Sequence, residues 1–469
     1  MIETKKKAGK DAVVVSFAEG TVSKFVETKD GHELRIAYGK KESLPLSRRK
    51  AVLFLRKIVA TAKQYKIKSL SLPWSDVRSL VHADVSNAQL GEMMAVAFSM
   101  ANFAFTVYKK KGKNDYAGVE RIFVSGAPKE ALVGIRRGEI VGTEVNGCRT
   151  LANMPGGDMT PKKLVAAAKA ALKGTSVTLK VLGRKEMQKL GMGAVLGIAQ
   201  GSVEEPQFLI MEYRGPARTG REKNADKPIV LIGKGVTFDS GGLNIKTGGN
   251  MTEMHMDMSG GSAVIHAIAT AARLKLPTHV IALVAAVENM PSGTAVRPGD
   301  ILRSLSGKTI EIVDTDAEGR VTLADAITYA KRYDPRAIIE CSTLTGASVV
   351  ALGFQASGLM TTDETVLKKL TALGEESGDY VWPFPMWEEY EEMLKSDFAD
   401  VANVPTGGWS RRAGVTGGGM FLQEFAKDIK CPFVHLDIAP RMTSDKDEFL
   451  APGAAGAPVR LLLSAVESL

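Results

Sequence analysis

Between residues 308 and 332 the chain passes from strand to helix through a run of charge that is costly unless something neutralises it. Lys308-Thr-Ile-Glu-Ile-Val313 has the composition of a strand. Residues 321–332 carry apolar side chains at helical spacing, with Pro335 beyond as a stop, and between the two segments stand Asp314, Asp316, Glu318 and Arg320. On an extended backbone the alternation of Asp314, Asp316 and Glu318 points all three carboxylates to one side. Like charges on one face repel and persist where a metal ion or an arginine neutralises them. A charged strand-to-helix turn flanked by apolar segments is where α/β folds hold ligands, so this stretch constrains both fold class and site.

A second stretch has matching chemistry. The apolar run 229–233 reads as a buried parallel strand. It leads into Lys234-Gly-Val-Thr-Phe-Asp239-Ser-Gly-Gly, then Lys246, then Met254-His-Met-Asp257-Met-Ser-Gly-Gly. Lys234, Asp239 and Asp257 are expected in a glycine-rich loop beyond that strand, where backbone and ligand approach closely. Clustered carboxylates without neutral imidazoles suit a pair of divalent cations, which lie about 3.5–4 Å apart in two-metal sites. The Gly-Lys-Gly triplet lacks the Gly-x4-Gly-Lys-[Ser/Thr] pattern of a phosphate loop.

Asp314-Thr-Asp-Ala-Glu-Gly-Arg320 resembles the Asn-Thr-Asp-Ala-Glu-Gly-Arg signature of the leucyl aminopeptidase (M17) family of metallo-exopeptidases. Gly233-Lys-Gly-Val-Thr-Phe-Asp-Ser-Gly-Gly and Met254-x-x-Asp-Met-Ser-Gly resemble its other metal-binding blocks, in the same order. Glu186-Met-x-Lys-Leu-Gly-Met-Gly, Gln200-Gly-Ser, Glu212-Tyr-Arg-Gly, Thr343-Leu-Thr-Gly-Ala and His435-Leu-Asp-Ile-Ala also match. The resemblance covers about the last two-thirds of the chain. It implies hydrolysis of the N-terminal residue, Leu or similar, from peptides with a free N-terminus, using two divalent ions, Mn²⁺ or Zn²⁺. Asp239, Asp316 and Glu318 would hold one ion; Lys234, Asp239, Asp257 and Glu318 would hold the other. By the same resemblance Lys246 stabilises the oxyanion and Arg320 holds a bicarbonate ion that acts as general base. Met254, Thr343, Leu344 and Gly346 belong to the side-chain pocket, and the assembly is a cytoplasmic homohexamer. Asp314 departs from the family's asparagine and sets one more carboxylate beside the metals; Val321 replaces leucine. Alternative readings are a two-metal phosphatase, a binding protein retaining a relic site, and an aminopeptidase that also binds DNA. The bland reading of Arg320 is a pairing with Asp314. His255 is expected outside the metal shell, and His435, on an apolar strand, in the core.

The 469 residues allow two or three domains. Alternating strand and helix patterns predict a small basic N-terminal α/β domain over residues 1–138. They predict a larger catalytic α/β domain over 139–469 with a mixed, largely parallel sheet, the two joined by a helix at 139–154. The polar residues 1–10 are expected to fray, and residues 405–419 and 450–458 to form loops near the site. No apolar run reaches the ~18 residues that span a bilayer, and no secretory leader is evident, so a cytoplasmic protein without a membrane partner is expected. Cys148, Cys341 and Cys431 form no metal or redox motif. Up to Thr150 there are 27 basic against 15 acidic residues, a net +12; the remainder carries 34 against 37, a net −3. That asymmetry makes DNA a candidate partner of the N-terminal domain, against a simple solubilising role. The candidate DNA-binding residues are Arg48, Arg49, Lys50, Arg56 and Lys57 on one predicted helix, with the lysines between Lys109 and Lys113.

Overall fold

A computed structural model of the chain describes residues 1–469 except 5–7, 10, 30, 111, 113–115, 217–226, 250 and 411. It divides into two compact units: Met1–Asn146 with Ser444–Pro452, and Gly147–Thr443 with Gly453–Leu469.

The first unit contains β1 (Ile2–Glu3), β2 (Val13–Ala18), β3 (Lys24–Thr28), β4 (Gly31–Ala37), β5 (Ser69–Pro73) and β6 (Arg121–Ser125) in one sheet of order β1-β6-β5-β2-β4-β3. All neighbours are parallel except the β3–β4 pair. Its helices are α1 (Arg48–Gln64), α2 (Trp74–Leu80) and α3 (Asn87–Asn102), followed by the long α4 (Lys129–Ala152). Ser86 and Gln89 form a reciprocal capping box that starts α3. Ser47 holds the N-cap position of α1, but its hydroxyl makes no capping bond.

Two expectations change here. The N-terminus does not simply fray, because Ile2 and Glu3 pair with Ile122 and Phe123 of β6. Two of the basic residues assigned to the outer face of α1 turn inward. Arg56 is buried, 3.8 Å from Glu448 and in contact with the sulfur of Met100, while Lys57 donates to the Ala37 carbonyl at 2.8 Å. The Arg56 guanidinium is then not available to phosphates, and the half-buried Lys57 ammonium already spends one donor within the fold. Lys111 and Lys113, and Lys5–Lys7 with Lys10 in the expected tail, lie outside the described residues.

The second unit holds α5 (Pro161–Ala171), β7 (Thr178–Leu182), α6 (Arg184–Leu190), α7 (Gly193–Ala199), β8 (Gln207–Arg214), β9 (Ile229–Asp239), α8 (Ser259–Arg273) and β10 (His279–Asn289). It continues with β11 (Ile301–Arg303), β12 (Thr309–Glu311), α9 (Glu318–Ala330), β13 (Ala337–Ser342), α10 (Gly346–Leu352), β14 (Ser357–Met360) and α11 (Glu364–Ser377). It ends with β15 (Val381–Pro383), β16 (Val401–Ala402), α12 (Gly414–Ala426), β17 (Phe433–Asp437) and α13 (Val459–Ser468). The main sheet has the order β15-β14-β17-β13-β9-β10-β8-β7, with the four central strands mutually parallel; a small sheet joins β11, β12 and β16. The fold is therefore mixed α/β with a largely parallel sheet, as the alternating pattern predicts.

The core follows from strand alternation. Val230 and Ile232 of β9 and Ile281 and Leu283 of β10 join Val321, Leu323 and Ile327 of α9 and Phe421 and Phe425 of α12 in one buried cluster. On the opposite face α8 lies against β9 and β10. The approach is so close that a Cβ at Gly260 would stand 2.1 Å from the Cys341 carbonyl oxygen, which explains the Ser-Gly-Gly start of this helix. Thr160 caps α5 with Pro161 at its first position, as expected. The helix expected over residues 417–427 is α12, and it starts three residues earlier, so that residues 414–416 of the expected loop are helical.

Candidate active site

The acidic run forms the expected strand-to-helix turn. β12 stops at Glu311, residues 314–317 form a turn, and Glu318 opens α9. Asp314 accepts the Asp316 N–H at 2.9 Å, closing that turn with its own side chain. The charged residues thus converge through a turn and a helix start, not through extended alternation. Asn403 fixes the same turn: its amide oxygen accepts the Val313 N–H at 2.9 Å and its amide nitrogen donates to the Asp314 carbonyl at 2.6 Å.

The second stretch also differs from a loop. Lys234 and Asp239 both lie within β9, which continues past Gly233 to Asp239. Five positions apart, they would face opposite sides of a regular strand. The pairing with β10 slips between Val287 and Glu288, opposite Thr237, and this bulge returns Asp239 to the side of Lys234. Asp257 follows the short turn Met254–Met256 ahead of α8. The carboxylates therefore gather at the C-terminal ends of the parallel strands, the usual ligand edge of an open α/β sheet.

Lys234 Nζ lies 2.7 Å from Asp257 Oδ2 and 2.8 Å from Glu318 Oε1, and donates to the Thr343 carbonyl at 3.2 Å. A Cβ at Gly319 would stand 2.6 Å from that ammonium, so glycine is needed where the lysine crosses the first turn of α9. Lys246 Nζ lies 2.9 Å from Asp239 Oδ2 and 2.5 Å from Asp316 Oδ1. Carboxylate oxygens of Asp239, Asp316 and Glu318 fall within 4.8 Å of one another. Asn289 donates to Asp239 Oδ1 at 2.8 Å, and the Thr343 hydroxyl to Asp257 Oδ1 at 2.7 Å.

Four carboxylates against two ammoniums leave a formal −2 in a buried cluster. Burial, reinforced by the negative neighbours, pushes the carboxyls of Asp257 and Glu318 up, and that of Asp316 up to about 7. Burial also works against both ammoniums, but the carboxylates around Lys234 and Lys246 outweigh it and hold each above the ordinary lysine range. Protein groups alone thus keep Lys234 charged; only positive charge added to the cluster would favour the neutral amine that a ligand must present. Asp257 Oδ2, Asp316 Oδ1 and Glu318 Oε1 are buried, and each faces a lysine ammonium. A residual −2 and the convergent carboxylate oxygens of Asp239, Asp316 and Glu318 fit divalent cations.

Arg320 sits in the first turn of α9, buried, donating to the Asn403 carbonyl at 3.1 Å while its Nε has no acceptor. Burial disfavours its charge, and Glu318, Asp437 and Asp314 oppose that. Among the described residues it makes no ion pair with Asp314, so the bland pairing is not what holds it. Arg320, Met254, Thr343, Leu344 and Gly346 all line one cavity of about 1130 Å³ with Lys234, Lys246, Asp239, Asp257 and Asp316. Pro405 lines it too, whereas no residue of 450–458 does. Ala439, Met442 and Val349 add to its apolar wall. Asp437 holds the floor of that wall, accepting from the backbone of Leu344 at 3.2 Å and from the Thr345 hydroxyl at 2.6 Å.

His255 stays outside the cluster, and burial lowers its pKa. His435 is fully buried opposite Glu340 and contacts its carboxylate through Nδ1, but its Nε2 has no partner, so this core histidine is satisfied on one side only. Asn289, Asn403 and Asp437 were not among the candidate site residues read from the sequence. Each is a polar residue at the edge of an apolar stretch, a weak signal until the fold shows its partners.

Residues 146–463 match the catalytic domain of the cytosol aminopeptidase family, and the chain belongs to that family. It is accordingly a metal-dependent aminopeptidase acting on peptides. A probable cytosol aminopeptidase of Roseiflexus castenholzii is 44% identical over 393 residues, covering 81% of this chain and 78% of the relative. That of Aromatoleum aromaticum is 42% identical over 371 residues, covering 78% and 71%. Among solved structures, the bottromycin maturation enzyme BotP in complex with Mn superposes with a TM-score of 0.84 at 26% identity, covering 98% of this chain and 99% of that one. No helix among the described residues is long and apolar enough to cross a membrane.

Proposed function

We propose that the protein releases N-terminal leucine and similar apolar residues from peptides with two divalent ions bound in the carboxylate cluster. The observation that carries this reading is the buried −2 cluster opening onto a cavity walled by Met254, Leu344 and Met442. Lys234, Asp239, Asp257 and Glu318 would hold one ion. Asp239, Asp316 and Glu318 would hold the other, with Asp239 and Glu318 shared. When bound, the ions supply Lewis acidity and a water of lowered pKa. The α-amine that would complete the ligand set exists only at a peptide's N-terminus, which makes the enzyme an exopeptidase.

Each remaining group then has a task. Lys246, kept protonated beside Asp239 and Asp316, offers a positive charge to the oxygen that becomes negative as the carbonyl is attacked. Arg320, at a helix start with an unsatisfied Nε, suits a small anion, and bicarbonate there would take the proton of the attacking water. Methionine makes an adaptable apolar wall for the first side chain. Family membership further supports a cytoplasmic homohexamer.

The test is hydrolysis of Leu-p-nitroanilide and p-nitrophenyl phosphate side by side, before and after chelation, with Mn²⁺ or Zn²⁺ added back. Amide hydrolysis lost on chelation and restored by metal is expected, with the phosphate ester untouched. Full activity in metal-free protein would overturn the two-ion reading, and phosphate release without amide hydrolysis would make the site a phosphatase.

A further inference from the structure

Four cations line the cavity among the described residues: Lys234, Lys246, Arg320 and Arg412. Two are paired with carboxylates, and the third is buried with carboxylates nearby but outside ion-pair distance. Lys234 has Asp257 and Glu318, Lys246 has Asp239 and Asp316, and Arg320 feels Glu318, Asp437 and Asp314. Arg412 differs. It is exposed, donates one guanidinium N–H to the Gly408 carbonyl at 3.1 Å, and has no carboxylate within ion-pair distance among the described residues.

Its position is nevertheless built. Trp409 packs edge-on against Tyr390 with ring centres 5.8 Å apart, and the Arg412 N–H returns to the Trp409 carbonyl at 2.8 Å. The next residue, Ala413, is left-handed at φ 46° and ψ 38° immediately before α12. A side chain other than glycine in that region costs about 1 kcal/mol or more, and such strain is held where it fixes a neighbour. The Gly408 bond leaves the rest of the planar fork free for bidentate recognition of a carboxylate.

We propose that Arg412 is a specificity residue that binds a carboxylate on the leaving part of the substrate. This rests on the aminopeptidase reading above. In a peptide that begins with an apolar residue, the first carboxyl is the scissile carbonyl, so every free carboxylate lies beyond the cleaved bond. That part of the substrate points away from the buried cluster, toward an exposed arginine on the cavity wall. The carboxylate has two sources: the C-terminus of a dipeptide, or an acidic side chain next to the cleaved bond.

Steady-state kinetics of the Mn²⁺-loaded full-length enzyme on paired peptides tests this. Leu-Gly against Leu-Gly-amide reports the C-terminal source, and Leu-Asp-amide against Leu-Asn-amide the side-chain source. The wild type should favour the carboxylate member of at least one pair by about tenfold in kcat/KM, mainly through KM. Arg412→Gln should bring that ratio close to one, and Arg412→Lys should keep part of it. Because each ratio compares two peptides on the same protein, a general loss of activity does not disturb it. Ratios near one in the wild type, or a ratio unmoved by Arg412→Gln, would overturn the assignment. Failure to release leucine from any of the four peptides would instead sink the aminopeptidase reading.

Discussion

Asp314 shows how a residue's neighbours decide what its charge is for. In sequence it extends the acidic run; in the structure its carboxylate accepts the Asp316 N–H and shapes the turn. An asparagine can offer the same acceptor. Asp314→Asn should therefore leave the unfolding free energy within about 0.5 kcal/mol of wild type, whereas Asp314→Ala should lose about 1 kcal/mol, the typical net worth of one hydrogen bond. Urea unfolding of the metal-free proteins measures both. Lys246 belongs to the chemistry. If its charge is used as the carbonyl oxygen becomes negative, Lys246→Ala should lower kcat by about 10²–10³-fold while metal content, read by atomic emission, stays near wild type. A near-normal kcat would leave the lysine as a counter-ion for Asp239 and Asp316 and nothing more.

At the scale of elements, α9 links the site to the rest of its unit. One end supplies Glu318 and Arg320. Farther along, the buried Asp325 accepts the Val195 N–H at 2.9 Å and the Leu305 N–H at 2.7 Å, tying down α7 and the loop after β11. Asp325→Ala would strand both donors, at about 1–3 kcal/mol each, and should lower stability by at least about 2 kcal/mol. Burial, against the pull of those N–H groups, raises the Asp325 carboxyl from 3.8 to about 7. Between about pH 4 and pH 7 the folded chain then holds a proton that the unfolded chain has released. The unfolding free energy contributed by this residue therefore falls as pH rises through that window. Urea unfolding at pH 5 and at pH 7.5 should show a smaller drop in Asp325→Asn than in wild type; an equal drop would mean that Asp325 is ionised throughout.

For the molecule as a whole, ions that bind the folded cluster and not the unfolded chain must stabilise it by mass action, by about 2.7 kcal/mol at a hundred times Kd. Mn²⁺ added to chelator-treated enzyme should raise Tm, and Asp239→Asn, which weakens a shared ligand, should shrink the rise. The basic excess up to Thr150 is the other whole-molecule property. With Arg56 buried and Lys57 half-buried against the Ala37 carbonyl, phosphate binding by α1 would rest mainly on Arg48, Arg49 and Lys50 at its start. If the excess serves DNA, replacing these three by alanine should make the salt dependence of duplex binding shallower. The log–log slope should change by about 0.9 for each phosphate that is no longer neutralised. A gel shift at two salt concentrations with no complex in either would assign the charge to solubility.

What the sequence by itself determined is local and chemical. Apolar runs of strand length alternating with helical spacing marked the α/β class, and the central strands β13 and β17 fall where the pattern places them. Unneutralised charge beside apolar stretches drew attention to the blocks around Lys234, Asp257 and Asp316, and the family resemblance of those ordered blocks implied which of their residues belong to the cluster. What tertiary structure decided is how those charges meet. Strand β9 runs on through Lys234 because Asp257 and Glu318, from two other elements, neutralise the ammonium that marked its expected end. A bulge at Thr237 brings Asp239 to the same side, and Asn403 and Asp314 satisfy the backbone of the turn that the sequence places at the acidic run. Arg56 is buried because Glu448, far along the chain, is there to receive it. Burial of a charge depends on its partner, and a partner distant in sequence is invisible until the chain has folded.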